Sequence, residues 1–235
     1  MKKRFVGLGA LLGIAGATLI QLPLSWIGPH VLPQEMGKNI RYSGTIWKGH
    51  ISGVDIIGDI YFNVDAKALL SRQLPLSFQT SSSAMTMSGK SSKNRLKDFK
   101  FSGQLADLPT SDGRLKEIAG HVDFQISQMD FDENCKAAAG NAATDILTRN
   151  GGRWQWRGPF LSGPISCDQG DLIVKLSGSE NAQTIKADLR IKIDGAYRAV
   201  FSVRTREAAA GVVLPLYGFD IRNGHYYLTE EGKWR

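Results

Sequence analysis

Two cysteines and four histidines are all that this 235-residue chain holds. No Cys-x-x-Cys or His-x-x-x-His spacing occurs, and zinc asks for about four ligands in such patterns, so a metal site has nothing to rest on. A Gly-x-Ser-x-Gly elbow is missing, as is a phosphate-cradling Gly-x-x-x-x-Gly-Lys-Ser/Thr loop. Lys and Arg are scattered among Asp and Glu, with no basic cluster interleaved with aromatics, which argues against nucleic acid as a partner. Helical periodicity is also scarce. At 42% hydrophobic and 22% charged the composition is that of a folded domain, and disorder is excluded.

Chemistry therefore has few candidates. His30 follows the N-terminal apolar segment, His50 stands alone, and His121 and His225 each open an apparent strand, all in solvated or strand-edge roles. The carboxylate pairs Asp130/Asp132 and Glu230/Glu231 lie in turn-like or terminal contexts. Only assembly across the fold could make either catalytic. The expectation is a non-enzymatic protein without cofactor or metal.

The N-terminus is rich in signal. Lys2, Lys3 and Arg4 precede an uncharged stretch, Phe5 to Ile27, that is long enough to cross a bilayer core. Trp26 takes the position where interfacial aromatics collect. Ala15-Gly16-Ala17 has the small-x-small form of a cleavage site, so cleavage after Ala17 competes with an uncleaved anchor. Either way the positive flank stays inside and the chain from about residue 28 is exported. The expected division is 1–27, a cytoplasmic tip and transmembrane anchor, and 28–235, a periplasmic domain. Of the net charge of +7, three charges belong to the tip, which leaves a modest +4 outside. Cys135 and Cys167 both fall in the exported part, where an oxidising compartment favours a disulfide between them.

That part alternates with period two. "IKADLRIKID" (185–194) and "YRAVFSVRT" (197–205) read as an antiparallel hairpin, with Ile185, Ala187, Leu189, Ile191 and Ile193 on one face of the first strand and Tyr197, Ala199, Phe201 and Val203 on one face of the second. "HVDFQIS" (121–127), "KFSGQL" (100–105), "LPLSFQT" (74–80) and "IIGDIYFNV" (56–64) behave alike. Helical spacing is confined to "NCKAAAGNAATDILTRNGG" (134–152), which predicts a helix over about 135–148, and to two turns at "DAKALLSR" (65–72). "RWQWRG" (153–158) reads as a returning strand with Trp154 and Trp156 on one side. One or two short helices cannot cover seven or more one-faced strands. The fold class is then mainly β: a curved antiparallel sheet, open or partly closed and able to form a groove. Six Ser-Gly dipeptides, at 43, 52, 88, 102, 162 and 177, mark places for bulges and bends. In "SGTIWKGHISG" (43–53) the first strand runs to Ile46, Trp47 ends it as a core anchor, and Lys48-Gly49 makes the turn.

"SGTIWKGHISGV" (43–54), shortly after an apolar segment, resembles the early motif of bacterial type II secretion system protein N. The block from Cys135 to Gly178, "CKAAAGNAATDIL…WQWRGPFLSGPISCDQGDLIVKLSG", and the ending "LPLYGFDIRNGHYYLTEEGKW" are similar to that family too. The resemblance implies an inner-membrane protein with a periplasmic β-rich domain. Such a protein is accessory to the machinery that exports folded proteins across the outer membrane, works by contact with other secretion components, and pairs Cys135 with Cys167. It brings no catalytic residues. The residues themselves leave an alternative open: a periplasmic groove holding lipid or another apolar ligand.

Overall fold

A computed structural model of the chain describes residues 22–31, 39–55, 57–71, 73, 75–107 and 115–233. Fourteen strands form one sheet. They are β1 (Arg41–Gly44), β2 (Lys48–Val54), β3 (Gly58–Val64), β4 (Leu76–Ser81), β5 (Met85–Ser92), β6 (Arg95–Gln104) and β7 (His121–Phe131) in the first half. The second half is β8 (Cys135–Thr144), β9 (Leu161–Asp168), β10 (Asp171–Glu180), β11 (Gln183–Ile191), β12 (Ala196–Arg204), β13 (Asp220–Arg222) and β14 (His225–Lys233). Each strand lies beside its sequence neighbour, except that β14 inserts between β12 and the short outer strand β13. All pairings are antiparallel, and β1 and β13 are open edges that do not meet. The sheet is not closed.

Directly opposed residues in a ladder project to the same face. One row runs Tyr42, Ile51, Ile60, Thr80, Met87, Phe101, Phe124 and Ala142 across the first eight strands. It continues on the far side as Leu176, Ala187, Phe201 and Leu228. The next row over is His50, Tyr61, Gln79, Ser88, Lys100, Gln125 and Asn141, which faces the other way. The period-two pattern of the sequence is thus the separation of one apolar face from one wet face along the whole sheet.

Two Ser-Gly sites are bulges as expected: the register shifts between Ile51 and Val54 on β2, and between Ser88 and Lys90 on β5. At Gly163 the reason is close approach, since a Cβ there would lie 1.8 Å from the Lys175 carbonyl oxygen. The opening motif turns earlier than its sequence suggests. β1 ends at Gly44, the turn is Thr45 to Trp47, and Lys48 already belongs to β2. Thr45 Oγ1 accepts from the Trp47 and Lys48 amides at 3.3 Å, and this local bond outcompetes strand continuation. Trp47 is half-buried, and its carbonyl accepts the Val64 N–H at 2.6 Å, which joins the turn to the end of β3.

Two sequence expectations fail in the block 134–158. The predicted helix over 135–148 is a strand, β8, paired on both sides with β7 and β9. Alanine tolerates either state, and Gly140 in the middle weakens a helix by about 1 kcal/mol. Its small residues are what the sheet needs there: a Cβ on Gly140 would meet the Gln125 carbonyl at 2.4 Å, and Ala142 packs 2% exposed between its neighbours. "RWQWRG" is not a strand. Arg153 and Trp154 end a short helix, and Gln155 takes a left-handed backbone that turns the chain.

Among the described residues the α-helices are few and short: α1 (Leu24–Val31), α2 (Ala66–Leu70), α3 (Ile146–Arg149), α4 (Gly151–Trp154) and α5 (Ala208–Leu216). Asp65 caps α2 by accepting from the Lys67 and Ala68 amides, as its place at the head of "DAKALLSR" suggests. Leu24 of α1 packs with Ile51 and Val54 over one end of the apolar face. α5 and the α3–α4 segment cover the other end, where Trp156, Leu161, Ile185, Val203, Ala210 and Leu214 form the largest buried cluster. Between these caps Ile126, Ala142, Ile165 and Val174 are buried against partners that, among the described residues, all come from strands. The apolar stretch Phe5–Ile27 is described only from Leu22, so the expected transmembrane anchor lies for the most part outside the described residues. Among those residues no helix is long and apolar enough to cross a membrane.

Candidate interaction surfaces

α5, "AAAGVVLPL", has no polar residue. A helix apolar on all sides belongs in a core. Here Ala210 and Leu214 are buried on the sheet, while Val212 and Leu216 stand 68% and 80% exposed. Ile221 on edge strand β13 is 61% exposed and pairs with Tyr226, which packs against the same cap. Val212 and Leu216, one turn apart, make an apolar ridge along the exposed side of α5 at the C-terminal end of the sheet. Its base is firm: Trp154 Nε1 donates to Tyr217 Oη at 2.9 Å, and the two rings meet edge to face. Below it Trp156 Nε1 donates to Gln183 Oε1 at 2.9 Å, and Gln183 Nε2 donates to the Arg157 carbonyl at 2.7 Å.

The cap is tied to the loop before β7 by polar bonds. The buried Asn150 amide donates to the Ala119 and Ile146 carbonyls and accepts from the Ala119 N–H. Asp145 accepts from the His121 amide at 2.7 Å and from Arg149 Nε at 2.5 Å. Partial burial pushes the Asp145 carboxyl up, but the Arg149 guanidinium and the His121 amide outweigh it and hold the group below the usual carboxylate range. A carboxylate depressed on folding stabilises the fold above its ordinary pKa, and that contribution is lost as pH falls through the lowered value. Circular-dichroism melts should therefore show this site's contribution to stability being lost below about pH 4, and Asp145→Asn should remove that part of the acid sensitivity. An unchanged acid profile in the variant would show that the site carries no such linkage.

Cys135 and Cys167 are joined. The bond links the start of β8 to the end of the neighbouring β9, not a helix to a sheet, and the Cys135 amide donates to the Gly170 carbonyl beside it.

The histidines do not converge. His50 stacks on Tyr61 and lies 3.3 Å from Asp59, His121 and His225 open β7 and β14, and His30 lies near the end of α1. Asp130 is held by Arg95, Asp132 by Lys136 and Glu231 by Arg198, all as surface ion pairs. Among the described residues no three His, Cys, Asp or Glu side chains are grouped to hold a metal. Two shallow depressions of about 320 and 480 Å³ lie on the wet face, on either side of Lys100 and Gln125. Sequence reasoning did not single out the α5 ridge, although the uninterrupted apolar run Ala208–Leu216 was the available signal.

The class is that of an open, single-sheet meander with an apolar face capped at both ends. Residues 41–229 match the model of type II secretion system protein N, and the chain belongs to that family. Neither a curated protein nor a solved structure matches it. Membership makes it a component of the type II secretion system, the assignment the motifs in 43–54, 135–178 and 214–234 had implied.

Proposed function

We propose that the protein is an accessory component anchored in the inner membrane by the uncharged segment from Phe5 up to the sheet-bonded Leu22, with its sheet in the periplasm, and that it assists export across the outer membrane through protein contacts. The family match over 41–229 carries this reading. The uncharged stretch behind Lys2, Lys3 and Arg4 supports the topology, and the exposed Val212, Leu216 and Ile221 supply an apolar contact surface. A reporter fused after Arg235 should be active only in the periplasm, and mild crosslinking of membranes should co-purify other secretion components. A cytoplasmic reporter, or an N-terminus that begins at Thr18, would overturn the anchor. Recovery of the protein alone would count against the contact role.

A second reading, a groove for an apolar ligand, is favoured by one observation. The middle of the apolar face, around Ile126 and Ile165, is packed by strands, and among the described residues no helix joins that cluster. Native mass spectrometry of the full chain released from detergent should then show a bound apolar species. A single ligand-free mass with no dye-binding surface would remove this reading and leave the first intact.

A further inference from the structure

There is no slack between the apolar segment and the sheet. The Leu22 carbonyl accepts the Ile46 N–H at 3.1 Å, and Pro23 bridges to Thr45. α1 starts at the next residue. Its inner side is clamped at two points one turn apart. Leu24 is 7% exposed, and Gly28 lies so close to the Tyr42 ring that a Cβ would stand 2.2 Å from Cδ1. Its outer side carries Trp26, 70% exposed, with Ile27 at 37% on the flank and the exposed Ser25, Pro29 and His30 beside them. α1, "LSWIGPHV", carries no Asp, Glu, Lys or Arg.

We propose that the outer side of α1 lies in the headgroup boundary of the bilayer, so that Trp26 and Ile27 hold the β1–β3 corner against the membrane surface as a fixed joint. This rests on the anchor reading. Lipid is the occupant because of where the chain comes from: the uncharged residues 5–21 run directly into Leu22, which is bonded to the sheet. A helix over 5–21 would rise about 25 Å, against a hydrocarbon core of about 30 Å. Apolar side chains at the boundary make up that difference. An indole ring suits that depth, since its body is apolar and its N–H can meet headgroups. A helix with one side fixed on a folded domain then delivers orientation as well as attachment.

The disulfide leaves any introduced cysteine as the single free thiol. Full chains carrying Trp26→Cys, Ile27→Cys, Tyr61→Cys or Leu69→Cys are labelled with bimane and reconstituted in vesicles of phosphatidylethanolamine and phosphatidylglycerol. All four positions are exposed in the fold. Nitroxides on the lipid chains should quench positions 26 and 27 several-fold more than 61 and 69, and aqueous iodide should show the reverse order. If the chain floats with the vesicles but 26 and 27 behave like 61 and 69, or are shielded from both quenchers, the joint is wrong while the anchor stands. A chain that does not float overturns both.

Discussion

Replacing Trp156 with alanine is expected to lower stability by about 3–5 kcal/mol, the range for removing a large buried aromatic. Trp156 is 5% exposed at the centre of the cluster that joins β9, β11, β12 and α5. The indole also satisfies Gln183, itself 2% exposed. Its removal leaves both a cavity and an unpaired amide oxygen, and the second effect alone costs about 1–3 kcal/mol where water cannot enter. Because α5 has no polar face of its own, it should detach with the loss of this base. Denaturant titration of Trp156→Ala should show the reduced midpoint, and limited proteolysis should cut near residues 205–219. Trp154→Ala, whose indole is only half-buried against Tyr217, should cost much less. Equal effects of the two variants would place the base of the cap elsewhere.

Loss of the Cys135–Cys167 bond should cost about 3–4 kcal/mol on the chain-entropy account for a loop of this length. The bonded residues are 32 apart in sequence. The loop they close contains β8, α3, α4, the Trp156 segment and most of β9, so the cross-link limits the unfolded freedom of the segment that builds the C-terminal cap. Cys135→Ser and Cys167→Ser should each lower abundance, and the double variant should be no worse than either single one, since all three lack the same bond. Titration of the native, unreduced protein with a maleimide should find no free thiol. Ready labelling at both positions would mean that the bond does not form in the cell and that the cap stands without it.

The strands were legible because one-sided burial writes itself into alternation. Ile185, Ala187, Val203 and Ala199 face the core in the hairpin read from "IKADLRIKID" and "YRAVFSVRT". The same pattern gave an antiparallel sheet too large for its helices. Its extent, fourteen strands with two free edges, was not legible, because a strand as short as β13 holds three residues and carries no periodicity. β8 was misread for a physical reason. Its alanines were placed by the close approach of β7 and β9, a constraint that exists only once the neighbours are in place. The "RWQWRG" segment failed in the opposite sense: two tryptophans at alternate positions imitate a strand, yet Trp154 meets Tyr217 and Trp156 meets Gln183 on either side of a left-handed residue. The α5 ridge went unnoticed because an apolar run reads as core from sequence, and only the fold shows which side is left uncovered.

The account turns on contact through that ridge, and photo-crosslinking in intact cells tests it most directly. A photoreactive amino acid at Val212 or Leu216, both more than two-thirds exposed, leaves the buried Ala210 and Leu214 untouched. Irradiation in cells with an active secretion system should trap another secretion component from both positions, and not from Tyr61 on the wet face. Equal trapping from all three positions, or none from the ridge in cells that secrete normally, would contradict the account.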